Sequence, residues 1–188
     1  MGARLSEVIS RRVFFARSAI AAILSVAAPL RAQIASRFRY RPLSQPVVVP
    51  LDAVATAWRV RPFTAEAVTL ASAAAPNQPI RVSGMIVRTA AGTEPEQFAA
   101  VCVRCPHELC DVDYVDDPKR LPQEIVSEIG HPVTEPVYVC PCHNSTFKVD
   151  GERLAGPAPR GLYRFRVTGI TAAAVEVGEV EEDVLIFV

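Results

Sequence analysis

Two short boxes concentrate the groups able to do chemistry: Cys105-Pro-His-Glu-Leu-Cys110 and Cys140-Pro-Cys-His-Asn-Ser-Thr-Phe147. The second places two thiols and an imidazole within four residues, more ligands than one ordinary metal corner takes. Each box offers a Cys/His pair a residue or two apart, plus one further thiol. In a tight turn, Cys105 with His107 and Cys140 with His143 can each point towards a common centre. Cys142 lies directly beside His143, so its side chain is poorly placed to share that centre. The leftover thiols, Cys110 and Cys142, suggest a disulfide between the two loops, which would stabilise by about 2–4 kcal/mol.

All five cysteines and all three histidines fall between positions 102 and 143. Scattered core cysteines do not segregate in this way, so a metal or disulfide site is expected. A structural zinc site built from Cys102, Cys105, Cys140 and Cys142 is one alternative, but it leaves His107, His143 and Cys110 unemployed. A pure disulfide scaffold ignores both histidines. Cys102, inside Ala-Ala-Val-Cys-Val, reads as a core position, because a free cysteine packs as a small hydrophobe. His131, in Gly-His-Pro, reads as a loop residue.

The paired boxes resemble those of Rieske iron–sulfur proteins of the respiratory quinol-oxidising type, in which two loops clasp a 2Fe–2S cluster. Carried across by motif position, the resemblance implies that Cys105 and Cys140 bind one iron as thiolates and that His107 and His143 bind the other. It implies a Cys110–Cys142 disulfide and a hydrogen bond from Ser145 to a bridging sulfide. It makes His143 the ring that meets the quinol and accepts its proton, with His107 also exposed. Gly156-Pro-Ala-Pro-Arg160 resembles the proline loop that shields the far side of the cluster. The detailed similarity runs over residues 98–168. Imidazoles in place of two thiolates remove negative charge from a cluster and raise its potential. A ring whose outer N–H changes acidity with the iron can take up a proton along with the electron.

Three features depart from the family pattern. His107 and Cys140 are separated by thirty-two residues, about twice the common spacing, and the extra part, within Asp111–Pro136, reads as a solvated surface excursion. Asn144 stands where a glycine is usual, and asparagine also tolerates left-handed backbone angles. Phe147 stands where high-potential relatives carry a tyrosine whose hydroxyl bonds the cysteine matching Cys105. Its absence predicts a lowered potential, suited to a low-potential quinol such as menaquinol.

The function implied is that of an electron-transfer subunit of a quinol:cytochrome c oxidoreductase. Its partners would be a cytochrome b that binds quinol and a c-type cytochrome that receives the electron, in a dimeric complex. A second reading is the Rieske small subunit of a periplasmic molybdenum oxidoreductase such as arsenite oxidase, which shares the Cys-Pro-His opening and the phenylalanine. An oxygenase Rieske domain is disfavoured, since such domains lack the disulfide pair and are cytoplasmic.

The rest of the chain must carry and position these boxes. It has 188 residues, half of them apolar, and a formal net charge of zero. Residues 1–42 hold eight arginines against the single Glu7, whereas the remainder holds twelve basic and nineteen acidic residues. An acidic body argues against a nucleic-acid partner. Ser10-Arg-Arg-Val-Phe14 followed by an apolar run resembles a twin-arginine export signal. Val13–Leu30 would form about 27 Å of helix, just enough to span a bilayer core, with Arg17 snorkelling to the inner face. Residues 1–30 are therefore expected to be an uncleaved single-pass anchor of a bacterial cytoplasmic membrane. Residues 31–50 are expected to be a tether, and 51–188 a periplasmic head with its cluster-binding part at about 98–160. An oxidising compartment would let the disulfide persist.

Short runs rich in β-branched residues predict strands at Val47–Val49, Ala55–Val60, Ile80–Val87, Phe98–Val103, Val137–Val139, Leu162–Val167, Ala172–Val177 and Val184–Val188. With sixteen prolines and turn signals between the runs, the expected class is a mainly β, antiparallel sandwich with an inserted cluster-binding subdomain. Trp58 reads as a core or strand-face aromatic.

Overall fold

A computed structural model describes residues 38–187 of the chain. Alternation of apolar and polar side chains generates most of the strands. In Val60–Val68 (β2), Ala65 and Ala67 are buried while Thr64, Glu66 and Val68 are exposed. In Pro79–Arg88 (β3), Val82 and Ile86 face inward. These strands join Tyr40–Pro50 (β1), Phe98–Cys102 (β4), Arg164–Ile170 (β9) and Ala174–Glu181 (β10) in a six-stranded antiparallel sheet of order β1-β10-β9-β4-β3-β2. The numbers left free belong to Asp113–Val115 (β5), Val137–Val139 (β6), Thr146–Lys148 (β7) and Arg153–Ala155 (β8), a second antiparallel sheet of order β5-β6-β7-β8.

Strand β4 links the two bodies through its pleat. Ala100 and Cys102 face the main core with Val82, Ile86, Phe165, Val175 and Val177. Val101 and Val103 face a second core with Cys105, Tyr138, Cys140, Phe147 and Leu162. One five-residue strand therefore anchors the first chemical box between two hydrophobic cores.

The excursion between the boxes is folded. Pro122 precedes a short helix, Gln123–Ile129 (α1), and Gly130 ends it at φ 78° with its N–H on the Val126 carbonyl. Ile125, 2% exposed, packs with Leu121 and Val137, and Leu154 of β8 adds to this third core. Burial of Ile125 contributes roughly 2 kcal/mol.

Several expectations are corrected. The expected strand Val47–Val49 is the end of a longer one, Tyr40–Pro50, which runs through the expected tether and pairs with β10 as an edge strand, where its three prolines cost no internal ladder bond. Ala55–Arg59 is a turn, with Trp58 at φ 65°, and β2 begins only at Val60. Val184–Phe187 is a helical turn (α2), because it caps the main core with Val184 and Leu185 instead of extending a sheet. The excursion faces solvent over most of its length, as expected, but it is folded, with β5, α1 and a small core. Among the described residues no helix is long and apolar enough to cross a membrane. The expected anchor at 1–30 and the first part of the expected tether, 31–37, lie outside the described residues.

Candidate metal centre

Each box folds into the same kind of loop. In the first, the Cys105 N–H donates to the Cys110 carbonyl and the Leu109 N–H donates to the Cys105 carbonyl. In the second, the Cys140 N–H donates to the Ser145 carbonyl and the Asn144 N–H donates to the Cys140 carbonyl. Both turns need a residue at positive φ, supplied by Leu109 and Asn144. The expected rescue of the second turn by asparagine is what the backbone shows.

The loops meet along three pairs of side chains. Cys110 and Cys142 form a disulfide with Cα atoms 6.6 Å apart, which closes the two loops on each other. Cys105 and Cys140 are free thiols, 0% and 2% exposed, close enough to hydrogen-bond. The rings of His107 and His143 stack edge to face with centroids 4.8 Å apart. The thiols thus lie on the inner side, and the imidazoles, partly exposed, lie on the outer side.

Burial pushes the Cys105 thiol up, and the neighbouring Cys140 thiol adds to this. The His107 backbone N–H and the Ser145 hydroxyl oppose it by hydrogen-bonding the thiolate. Such a pocket suits a thiolate once a metal supplies positive charge. Ser145 itself is fully buried, and its Oγ accepts from the Ala158 N–H at 3.0 Å. Ala158 lies in the Gly156–Arg160 loop, which packs against Ser145 so closely that a Cβ on Gly156 would collide with the Ser145 backbone.

Cys102 stands apart. Its side chain belongs to the main core, and burial raises its thiol to about 11. With Cys142 also committed to a disulfide, the zinc alternative loses two of its four ligands. His131 is exposed, and its Nδ1 lies 3.2 Å from the neighbouring Pro132 carbonyl. Trp58 lies partly buried against the second core, and the Tyr114 hydroxyl donates to its carbonyl.

Two carboxylates escaped sequence reasoning. Glu108 Oε2 lies 3.6 Å from His143 Nδ1, and Glu108, His107 and His143 bring potential ligand atoms within 4.8 Å of one another. Its place inside the first box was the available signal. Glu128, on α1, accepts a hydrogen bond from the Gly156 N–H at 2.8 Å, and nothing in the sequence marks that contact.

The family model described as the Rieske [2Fe-2S] domain matches residues 68–166, more than half of the chain. The chain belongs to the Rieske family. Its Rieske domain therefore implies a 2Fe–2S cluster, and the paired buried thiols and paired outer imidazoles fit that group. Among solved structures, the chain is similar to the crystal structure of the cyanobacterial plasma membrane Rieske protein PetC3 from Synechocystis PCC 6803. That likeness has 19% identity and a TM-score of 0.40, and covers 71% of this chain and 98% of that one. No curated protein sequence matches the chain. The mainly β, antiparallel class and the expected disulfide are present in the Rieske domain.

Proposed function

We propose that Cys105 and Cys140 hold one iron of the cluster and His107 and His143 the other, with Ser145 as a hydrogen-bond donor to the cluster's sulfur. The observation that carries this reading is the layered arrangement of buried thiols beneath exposed, mutually stacked imidazoles. When bound, the cluster supplies one-electron chemistry at a potential raised by its neutral imidazole ligands.

The protein then serves as a quinol-oxidising electron-transfer subunit with cytochrome b and c-type cytochrome partners. The exposed His143 ring accepts the quinol proton, and His107 lines the same face. Buried Cys105, Cys140 and Phe147 keep water from the inner side. Residues 1–30 anchor the chain in the membrane and the head lies outside the cytoplasm. The Arg11-Arg12 pair and a disulfide typical of oxidising compartments support this placement. Phe147, fully buried beside the thiols, supports a second reading as the small subunit of a periplasmic molybdenum oxidoreductase.

Purification of the native protein with its partners tests both readings. A cytochrome b and its haem in the complex support the first. A large molybdenum-containing subunit overturns it in favour of the second. A reduced-state paramagnetic resonance spectrum without the low average g-value of a Cys/His-ligated cluster overturns both.

A further inference from the structure

The helical part of the segment between the two boxes, folded on its own small core, touches the loop beside the metal centre through Glu128. Gly156 is buried at φ 89°, and its N–H donates to Glu128 Oε1 at 2.8 Å. On the other side of the same residue, the Arg153 guanidinium donates to the Gly156 carbonyl. The peptide groups flanking Gly156 are thus held between a carboxylate on α1 and a guanidinium on β8. Charged partners make the stronger class of hydrogen bond.

The far end of this loop is fixed as well. Arg160 pairs with Asp183 Oδ2 at 2.6 Å and with the buried Glu181 carboxylate. Between the two ends lie Pro157 and Pro159, whose rings fix φ and stiffen the span. A shift at Gly156 is therefore carried to Ala158. The Ala158 N–H occupies a lone pair of the Ser145 hydroxyl, which leaves its single proton free for the cluster site beside Cys105.

We infer that Glu128 is a positioning residue for the Rieske centre. By accepting the Gly156 N–H it holds the 156–160 loop on the second box and thereby fixes the direction of the Ser145 hydroxyl towards the cluster site. The inference rests on the assignment of Cys105 and Ser145 to the cluster made above. It gives the long spacing between the boxes a role as a strut: Ile125 seats α1 against β8 through Leu154, and Glu128, one turn on, meets the loop that follows β8.

The test compares Glu128→Ala, Glu128→Gln and the control Glu124→Ala in the full-length, cluster-loaded protein. Deuterium uptake across residues 156–160 reads the clamp, because only Gly156, Ala158 and Arg160 there carry amides. The midpoint potential and the reduced-state resonance spectrum read its effect on the cluster. Glu128→Ala is expected to speed uptake by about tenfold, the loss of one hydrogen bond, and to lower the midpoint. Glu128→Gln keeps an acceptor oxygen without the charge and is expected to fall between wild type and Glu128→Ala in both readouts, whereas Glu124→Ala matches wild type.

Unchanged uptake or an unchanged midpoint in Glu128→Ala overturns the inference. So does a midpoint shift in Glu128→Gln as large as that in Glu128→Ala with uptake unchanged, since charge alone would then be acting. If Glu128→Ala does not fold, Glu128→Asp withdraws the acceptor by one methylene and carries the same expectation. A wild-type spectrum lacking the Cys/His-ligated signature overturns the metal-centre assignment and this inference with it. A normal wild-type spectrum with an indistinguishable Glu128→Ala overturns this inference alone.

Discussion

Leu109 and Asn144 hold the same left-handed backbone conformation, φ 59° and 58°, each as the last residue before its loop closes. The loops around them correspond bond for bond, so Cys105 matches Cys140 and Cys110 matches Ser145. One loop geometry used twice puts two thiols at equivalent inner positions. The histidines break the symmetry: His107 stands two residues after its cysteine and His143 three. The disulfide breaks it too, since Cys110 closes its loop whereas Cys142 lies inside the other. The side chains, and not the backbone, therefore decide which positions become outer ligands.

Removal of the disulfide tests how far the fold depends on this clasp. The bridge joins residues 32 apart in sequence, and the chain-entropy relation gives about 3–4 kcal/mol for a loop of that size. Cys142→Ser is expected to lower the unfolding free energy by an amount within that range, seen as a lower denaturant midpoint, and to release the cluster more readily. Trp58, the single tryptophan, packs against the second core and reports the transition by its emission. An unchanged midpoint would show that the two cores hold the loops without the bridge.

Phe147 is fully buried in the core that holds both thiols. Phe147→Tyr adds one hydroxyl there and is expected to raise the midpoint potential. A hydrogen bond worth about 1–1.5 kcal/mol to the reduced state corresponds to roughly 40–65 mV for one electron. Tyr138 pairs with Phe147 across β6 and β7, and its own hydroxyl is buried with no hydrogen-bond partner among the described residues. That phenol can compete for the new hydroxyl, so the double variant with Tyr138→Phe is expected to show the larger rise. Redox titration decides it, and an unchanged or lower midpoint in the double variant contradicts the tuning role of position 147.

How much of this was legible follows from range along the chain. Cys105 with His107, and Cys140 with His143, are local, so spacing exposed them. Strand β3, with Ile80, Val82, Ile86 and Val87, and the apolar run of β4 were equally plain. Strands β5, β7 and β8 have three residues each, too few for a period to show. Only Val47–Val49 of β1 was legible, because the Arg-, Ser- and Pro-rich residues before it show no long period; prolines at 42, 46 and 50 are tolerated on an edge strand. α1 was hidden because seven residues among prolines and acids leave little helical pattern. Glu128 was invisible because its partner is a backbone N–H 28 residues away, which no side-chain type announces.

Burial raises the Cys102 thiol from the ordinary value to about 11. Between about pH 9 and 11 the folded protein keeps a proton that the unfolded chain has lost. The folded state then binds more protons, so this residue's contribution to stability falls as pH rises through that window. At pH 8, alkylation of Cys102 in the native protein is expected to be far slower than in urea. Mass spectrometric mapping checks this, and equal rates in the two states would place the thiol at the surface.

Leu109 and Asn144 reverse the usual ranking of small residues. In regular structure glycine is less stabilising than alanine by about 0.5–1 kcal/mol, since it loses more backbone freedom on folding. At φ near +60° an L side chain brings Cβ too close to the following carbonyl, at a cost of roughly 1–2 kcal/mol. Leu109 is 44% exposed, and truncation to alanine or glycine removes nearly the same buried surface, so the difference between the two variants isolates the backbone. Leu109→Gly is expected to be more stable than Leu109→Ala by about 1 kcal/mol. Asn144→Gly should exceed Asn144→Ala by a similar margin. In a domain of this size that is roughly 2–4 °C in melting temperature, readable by calorimetry on the oxidised protein. Alanine equal to or better than glycine at both positions would mean that the loops do not hold the left-handed turn on which the placement of Cys105 and Cys140 depends.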